Sequence, residues 1–188
     1  MRGKAVCAAA RSCYTAPMKI GKIAHANAAP IPDDKALAIA AYGESVAAYR
    51  YIILAEKTRL PMLHEAFEGM AAEERGHRDR LQAILSRLAT NAAFYLTNED
   101  KSAVCVGPRL LDARDDAHFD EAMRLVIASE KRTSSFYHRA AARAADEQVK
   151  ALFEELALEG LEHVQKLRGL FKEIGKDNLE PCPMQNLR

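Results

Sequence analysis

Glutamates and histidines recur along this chain at spacings that suit metal binding. Displacing the sequence along itself by 86 residues superposes Glu44 on Glu130, Tyr51 on Tyr137, Phe67 on Phe153, Glu73 on Glu159, His77 on His163 and Leu81 on Leu167 without a gap. In each copy a glutamate is followed 33 residues later by a histidine. Self-similarity at a fixed offset marks a repeated structural unit. Glu74 and His77 stand three apart, so on a helix they share one face, a turn apart, and reach the same inward point. Carboxylate oxygens with one imidazole nitrogen per ion suit iron or manganese, and a carboxylate can bridge two cations and lessen their repulsion. Glutamates turned into a core need such partners, because an unpaired buried charge costs several kcal/mol or is neutralised.

Four long amphipathic helices supply the positions. Asp33 and Asp34 are candidate N-caps for a first helix over Lys35 to Arg59, with Leu37, Ile39, Val46, Ile53 and Leu54 at helical spacing. Pro61 suits the first turn of a second helix, which carries Leu63, Phe67, Met70, Leu81 and Leu85 on one side and runs to residue 89. Asp115 or Asp116 can cap a third helix that continues to about Ala145, and Asp146 can start a fourth with Lys172 in its last turn and Gly175 as C-cap. The joints within each helix pair are short, which makes antiparallel hairpins, and such hairpins bring the middle of one helix beside the middle of the next. Between the pairs, Thr90 to Asp116 shows no clear period, and its length fits a crossover along the outside of a bundle.

Composition narrows the setting. The 188 residues are 49% apolar and 28% charged, with a formal net charge of +1, so neither nucleic acid nor a membrane surface is expected as the main partner. Cys7, Cys13, Cys105 and Cys182 form no Cys-x-x-Cys pair, which argues against a disulfide scaffold or a thiolate metal knuckle and for a cytoplasmic setting. No run of eighteen apolar residues is present. Residues 1–32 carry Arg2, Lys4, Arg11, Lys19 and Lys22 with no acid before Asp33, the composition of a flexible basic extension or a leader, and Met18 is an alternative start. Residues 33–175 form the expected domain and 176–188 a tail.

Glu44, Glu74-Arg75-Gly76-His77, Glu130 and the segment from Glu159 to His163 resemble the rubrerythrin family of the ferritin-like superfamily, over roughly residues 35 to 172. That resemblance implies an all-α, ferritin-like antiparallel four-helix bundle with one long crossover between its second and third helices. It also implies a site for two metal ions, iron first, with zinc or manganese as alternatives. The family pattern is Glu followed by Glu-x-x-His, twice. Its first half is intact as Glu44, Glu74 and His77, while in the second half Glu130 and His163 are present but Gly160 stands where the second bridging glutamate belongs. Glu159, roughly 40° round the helix from His163, is the expected substitute. By resemblance, Glu74 and Glu159 bridge, Glu44 and Glu130 are terminal ligands, and His77 and His163 cap the ends of the pair.

The same resemblance implies reduction of peroxide or dioxygen. Thr133 occupies the position of an extra carboxylate found in peroxide-reducing members, and no paired Cys-x-x-Cys motif of a rubredoxin domain occurs, so electrons would come from a separate rubredoxin-like donor. The rival classes are a metal-binding, storage or sensing protein without turnover, and a structural bundle with a degenerate site. A homodimer is expected from exposed apolar stripes. Tyr51 and Tyr137, on the face of their glutamates, are candidates to hydrogen-bond to ligands, and Cys105 in the crossover is a candidate reactive thiol.

Overall fold

A computed structural model describes residues 31–89, 95–108 and 116–174. Most of the expected N-terminal extension, the C-terminal tail with Gly175, and Asp115 lie outside the described residues, as does the side chain of Asp116. The helices are α1 (Asp33–Lys57), α2 (Pro61–Leu88), the short α3 (Asn98–Ser102), α4 (Asp116–Ala141) and α5 (Glu147–Glu173). No strand occurs among the described residues, and no helix there is long and apolar enough to cross a membrane.

The α1–α2 and α4–α5 hairpins pack against each other, α1 on α4 and α2 on α5. Pro61 occupies the first turn of α2, as its fixed φ and missing N–H favour. Asp146 caps α5 by accepting from the N–H groups of Gln148 and Val149. Asp33 and Asp34 do not cap α1. They form its first turn after Pro32, where their charges meet the positive end of the helix dipole. Asp33 Oδ2 accepts instead from the backbone N–H groups of Ala145 at 3.0 Å and Asp146 at 2.8 Å, pinning the start of α1 to the α4–α5 turn. That turn also ends α4 at Ala141, short of the expected Ala145.

Within the crossover α3 is an unforeseen helix, started by a capping box in which Thr97 and Asp100 satisfy each other's backbone N–H groups. The chain then lies against α1 and α4. Gly43 permits this, since a Cβ there would come within 3.0 Å of the Val104 side chain. Arg50, only 1% exposed, fastens the same segment: Nη1 donates to Ser129 Oγ at 2.6 Å, and Nη2 to the carbonyls of Val106 at 2.8 Å and Pro108 at 2.7 Å. Hydrogen bonds from a charged donor contribute about 1.5–3 kcal/mol each, so this buried cation is offset by the loop it holds.

The core is divided in two. One apolar cluster gathers Leu37, Leu81, Phe136, Val149 and Phe153; the other gathers Leu54, Phe67, Val126, Leu167 and Phe171. On every long helix the boundary between the clusters falls near a titratable residue: Glu44, Glu74, Glu130 and His163, all buried. The two apolar halves therefore enclose a polar layer across the middle of the bundle.

Candidate metal centre

Five of the six candidate ligands meet in that layer as two groups, Glu44–Glu74–His77 and Glu74–Glu130–His163, and within each group one donor atom per residue lies within 4.8 Å of the others. Glu74 belongs to both. His77 Nδ1 lies 3.0 Å from Glu74 Oε2 and 3.9 Å from Glu44 Oε2. His163 Nδ1 lies 2.7 Å from Glu74 Oε1 and 3.8 Å from Glu130 Oε2. The two imidazoles stack with centroids 5.9 Å apart, so the repeat in sequence becomes a two-fold arrangement in space.

The outer ring nitrogens repeat the symmetry. His163 Nε2 is 2.8 Å from Glu73 Oε2, which Lys166 Nζ also reaches, and His77 Nε2 is 2.9 Å from Glu159 Oε2, which Arg80 Nη2 also reaches. Glu159 thus does not lie between the groups, where it was expected to substitute for Gly160. One position earlier on a helix is a rotation of roughly 100°, which carries its part-exposed carboxylate to the far edge of the opposing hairpin's histidine. Glu73 was not among the expected site residues, although its alignment with Glu159 in the repeat was the available signal. A carboxylate on the far nitrogen of a histidine fixes the tautomer and turns the other nitrogen towards a metal.

Tyrosines orient the terminal carboxylates across the hairpins. The Tyr51 hydroxyl donates to Glu130 Oε1 at 2.8 Å, and the Tyr137 hydroxyl donates to Glu44 Oε1. Burial, reinforced by the nearby glutamates, raises both phenols and keeps them protonated. Thr133 faces away from this task, donating to the Val104 carbonyl at 2.7 Å.

Burial pushes the Glu44 carboxyl well above its usual range, and the charge of Glu74 adds to the effect. Glu130 is raised for the same two reasons. Burial also opposes ionisation of Glu74, but the proton of Glu44 and the adjacent His163 and His77 outweigh it, holding Glu74 below the carboxylate range. For His163, burial disfavours the cation, yet Glu130 and Glu74 beside it push its pKa up to about 11. Metal-free, the layer balances its buried carboxylates with protons. Glu74 Oε1 and His163 Nδ1 are both buried without a hydrogen-bond partner while only 2.7 Å apart. Such facing donor atoms fit a bound cation.

These shifts set the sign of a pH effect. The pairing of His163 with Glu74 and Glu130 supports the metal-free fold fully below about pH 6.5, the ordinary histidine value, and is lost as pH rises through about 11. Uptake of a cation runs the other way, because His163 and Glu44 must surrender protons. Affinity for a divalent cation is expected to increase from about pH 6 to about pH 8, roughly tenfold per pH unit for each proton displaced. Proton release into weak buffer on loading at neutral pH checks it, and pH-independent affinity would contradict it.

The rubrerythrin family model matches residues 35–171, a span that holds all four long helices but for their outermost residues and every member of the polar layer. The chain belongs to the rubrerythrin family. No curated protein sequence matches it. Among solved structures, a hypothetical protein from Pyrococcus furiosus superposes with a TM-score of 0.65 at 22% identity, covering 76% of this chain and 89% of its own. An uncharacterized conserved protein from Magnetospirillum magnetotacticum gives 0.59 at 25% identity, over 81% and 98%. A manganese catalase from Anabaena gives 0.58 at 18% identity, over 86% and 81%. These likenesses place this rubrerythrin-family chain among ferritin-like bundles.

Proposed function

We propose that the chain is a dinuclear metal protein, with iron as its working metal, that reduces peroxide using electrons delivered by a separate donor. The observation that carries this reading is the pair of Glu/Glu/His groups joined through the buried Glu74. Glu74 would bridge, Glu44 and Glu130 would each hold one ion, and His77 and His163 would bind through Nδ1. A pair of ferrous ions supplies the two electrons that O–O cleavage requires.

The protein's own part is positional. Glu159 and Glu73 hold the outer imidazole nitrogens, Tyr137 and Tyr51 hold the outer oxygens of Glu44 and Glu130, and the apolar clusters on both sides exclude bulk water. The tyrosine hydroxyls also keep a proton at the edge of the site. Membership of the family and the likeness to a manganese catalase support a redox reading. Gly160 and the engaged Thr133 leave fewer carboxylates than the full family pattern, which favours a second reading, metal binding without turnover.

Anaerobic loading with ferrous iron followed by peroxide addition, with an artificial electron donor, separates the two. The enzyme reading expects two ions per chain and donor-dependent peroxide loss, both abolished in His77→Ala. Two ions without turnover leaves the binding reading, and one ion or fewer sinks the dinuclear site.

A further inference from the structure

A cavity of about 10 Å³ lies between α1, α4 and the crossover, lined by Glu44, Ala47, Arg50, Ser129, Glu130 and Thr133, with Val104 as a further wall. That volume suits one water-sized guest, which needs about 10–15 Å³. Arg50 spends Nη1 on Ser129 Oγ and Nη2 on the carbonyls of Val106 and Pro108. Its Nε–H, on a side chain only 1% exposed, has no hydrogen-bond partner among the described residues. The Ser129 hydroxyl accepts twice, from Arg50 Nη1 at 2.6 Å and from the Val106 N–H at 3.0 Å. Both of its lone pairs are then used, and its own hydrogen is left to donate.

We propose that this cavity is the anion pocket of the metal centre: it holds one hard, hydroxide-sized anion beside Glu44 and Glu130, with Arg50 Nε–H and the Ser129 hydroxyl as its donors. The inference rests on the dinuclear reading above. Hydrogen peroxide takes up two electrons as its O–O bond breaks and yields two hydroxide ions. A polar pocket of this size receives one of those product oxygens and holds it beside the ions.

The chemistry of the walls selects the guest. Two donors call for an acceptor, and a guest there gives the buried Arg50 Nε–H the partner it otherwise lacks, an omission that is costly away from water. A hydroxide's own hydrogen meets the Thr133 hydroxyl oxygen, which is free to accept because that hydroxyl donates to the Val104 carbonyl. Glu44 and Glu130 in the wall repel an anion until cations engage them, so occupancy follows metal loading. Once two divalent ions are present, four positive charges face the three buried carboxylates Glu44, Glu74 and Glu130, and Arg50 adds another. One small anion lessens that excess in a low-dielectric layer. Larger anions such as chloride and azide exceed a space sized for one water.

Sodium fluoride, which matches hydroxide in size and charge, is the probe, and the full chain loaded with iron and oxidised to the ferric state is the target. Near-ultraviolet absorption reports a new anionic ligand on ferric ions. At fixed pH and ionic strength, fluoride is expected to change the spectrum saturably, one per chain, without competition from chloride or azide. Arg50→Lys keeps the charge and a donor for the crossover carbonyls but removes Nε–H, and should weaken fluoride at least about tenfold with both ions retained. Ala47→Val fills the cavity without touching a donor and should weaken fluoride as much; if Arg50→Lys fails to melt cooperatively, Ala47→Val decides alone. Fully loaded protein that ignores fluoride, equal competition by azide, or a folded variant of either kind that binds fluoride like the parent overturns the pocket. Loading below two ions overturns the dinuclear reading instead, and metal content tells the two failures apart.

Discussion

Glu74→Gln is expected to lower the metal content from two ions to none after gel filtration, whereas Glu44→Gln or Glu130→Gln should each leave one. Glu74 alone belongs to both groups, and no carboxylate at position 160 shares the load. Glutamine keeps the shape and one acceptor oxygen but removes the charge from both sites together. Changes one shell further out, at Glu73 or Glu159, act only through ring orientation and should weaken binding by about 10–100-fold. Elemental analysis of the purified variants decides the matter, and Glu74→Gln retaining two ions would refute a shared ligand. The metal-free variant should still melt cooperatively, but below the metal-free parent, since glutamine removes one partner of the buried His163–Glu74 pair. That melting curve separates loss of the site from loss of the fold.

Loading the site is expected to raise the melting temperature by roughly 10–20 °C. A ligand at a hundred times its dissociation constant stabilises by about 2.7 kcal/mol per site, or about 5 kcal/mol for two ions, and a domain of this size shifts by roughly 2–4 °C per kcal/mol. The physical source is visible in the layer: Glu44 and Glu130, raised by burial and by Glu74, share the centre of the bundle with His163. Cations replace the protons that otherwise balance these groups. Differential scanning calorimetry with and without a chelator checks the shift, and equal melting temperatures in both would contradict a metal-stabilised layer.

The long helices and their pairing into hairpins could be read from the chain, because amphipathic periodicity and the short joints around Pro61 and Asp146 are local signals. So could five members of the polar layer, since the 86-residue repeat aligns Glu44 with Glu130 and His77 with His163, and helical spacing puts Glu74 beside His77. The place of Glu159 was decided only by the tertiary structure. Its angle relative to His163 is a property of one helix, but its partner, the outer nitrogen of His77, belongs to the other hairpin. The same holds for Arg50, whose acceptors Val106, Pro108 and Ser129 lie more than fifty residues away, and for Asp33, which a local rule makes an N-cap and the fold turns towards Ala145 and Asp146. Residue type and spacing along one helix determine which groups face inward; which groups they then meet depends on the register between helices, set by packing of the two apolar clusters.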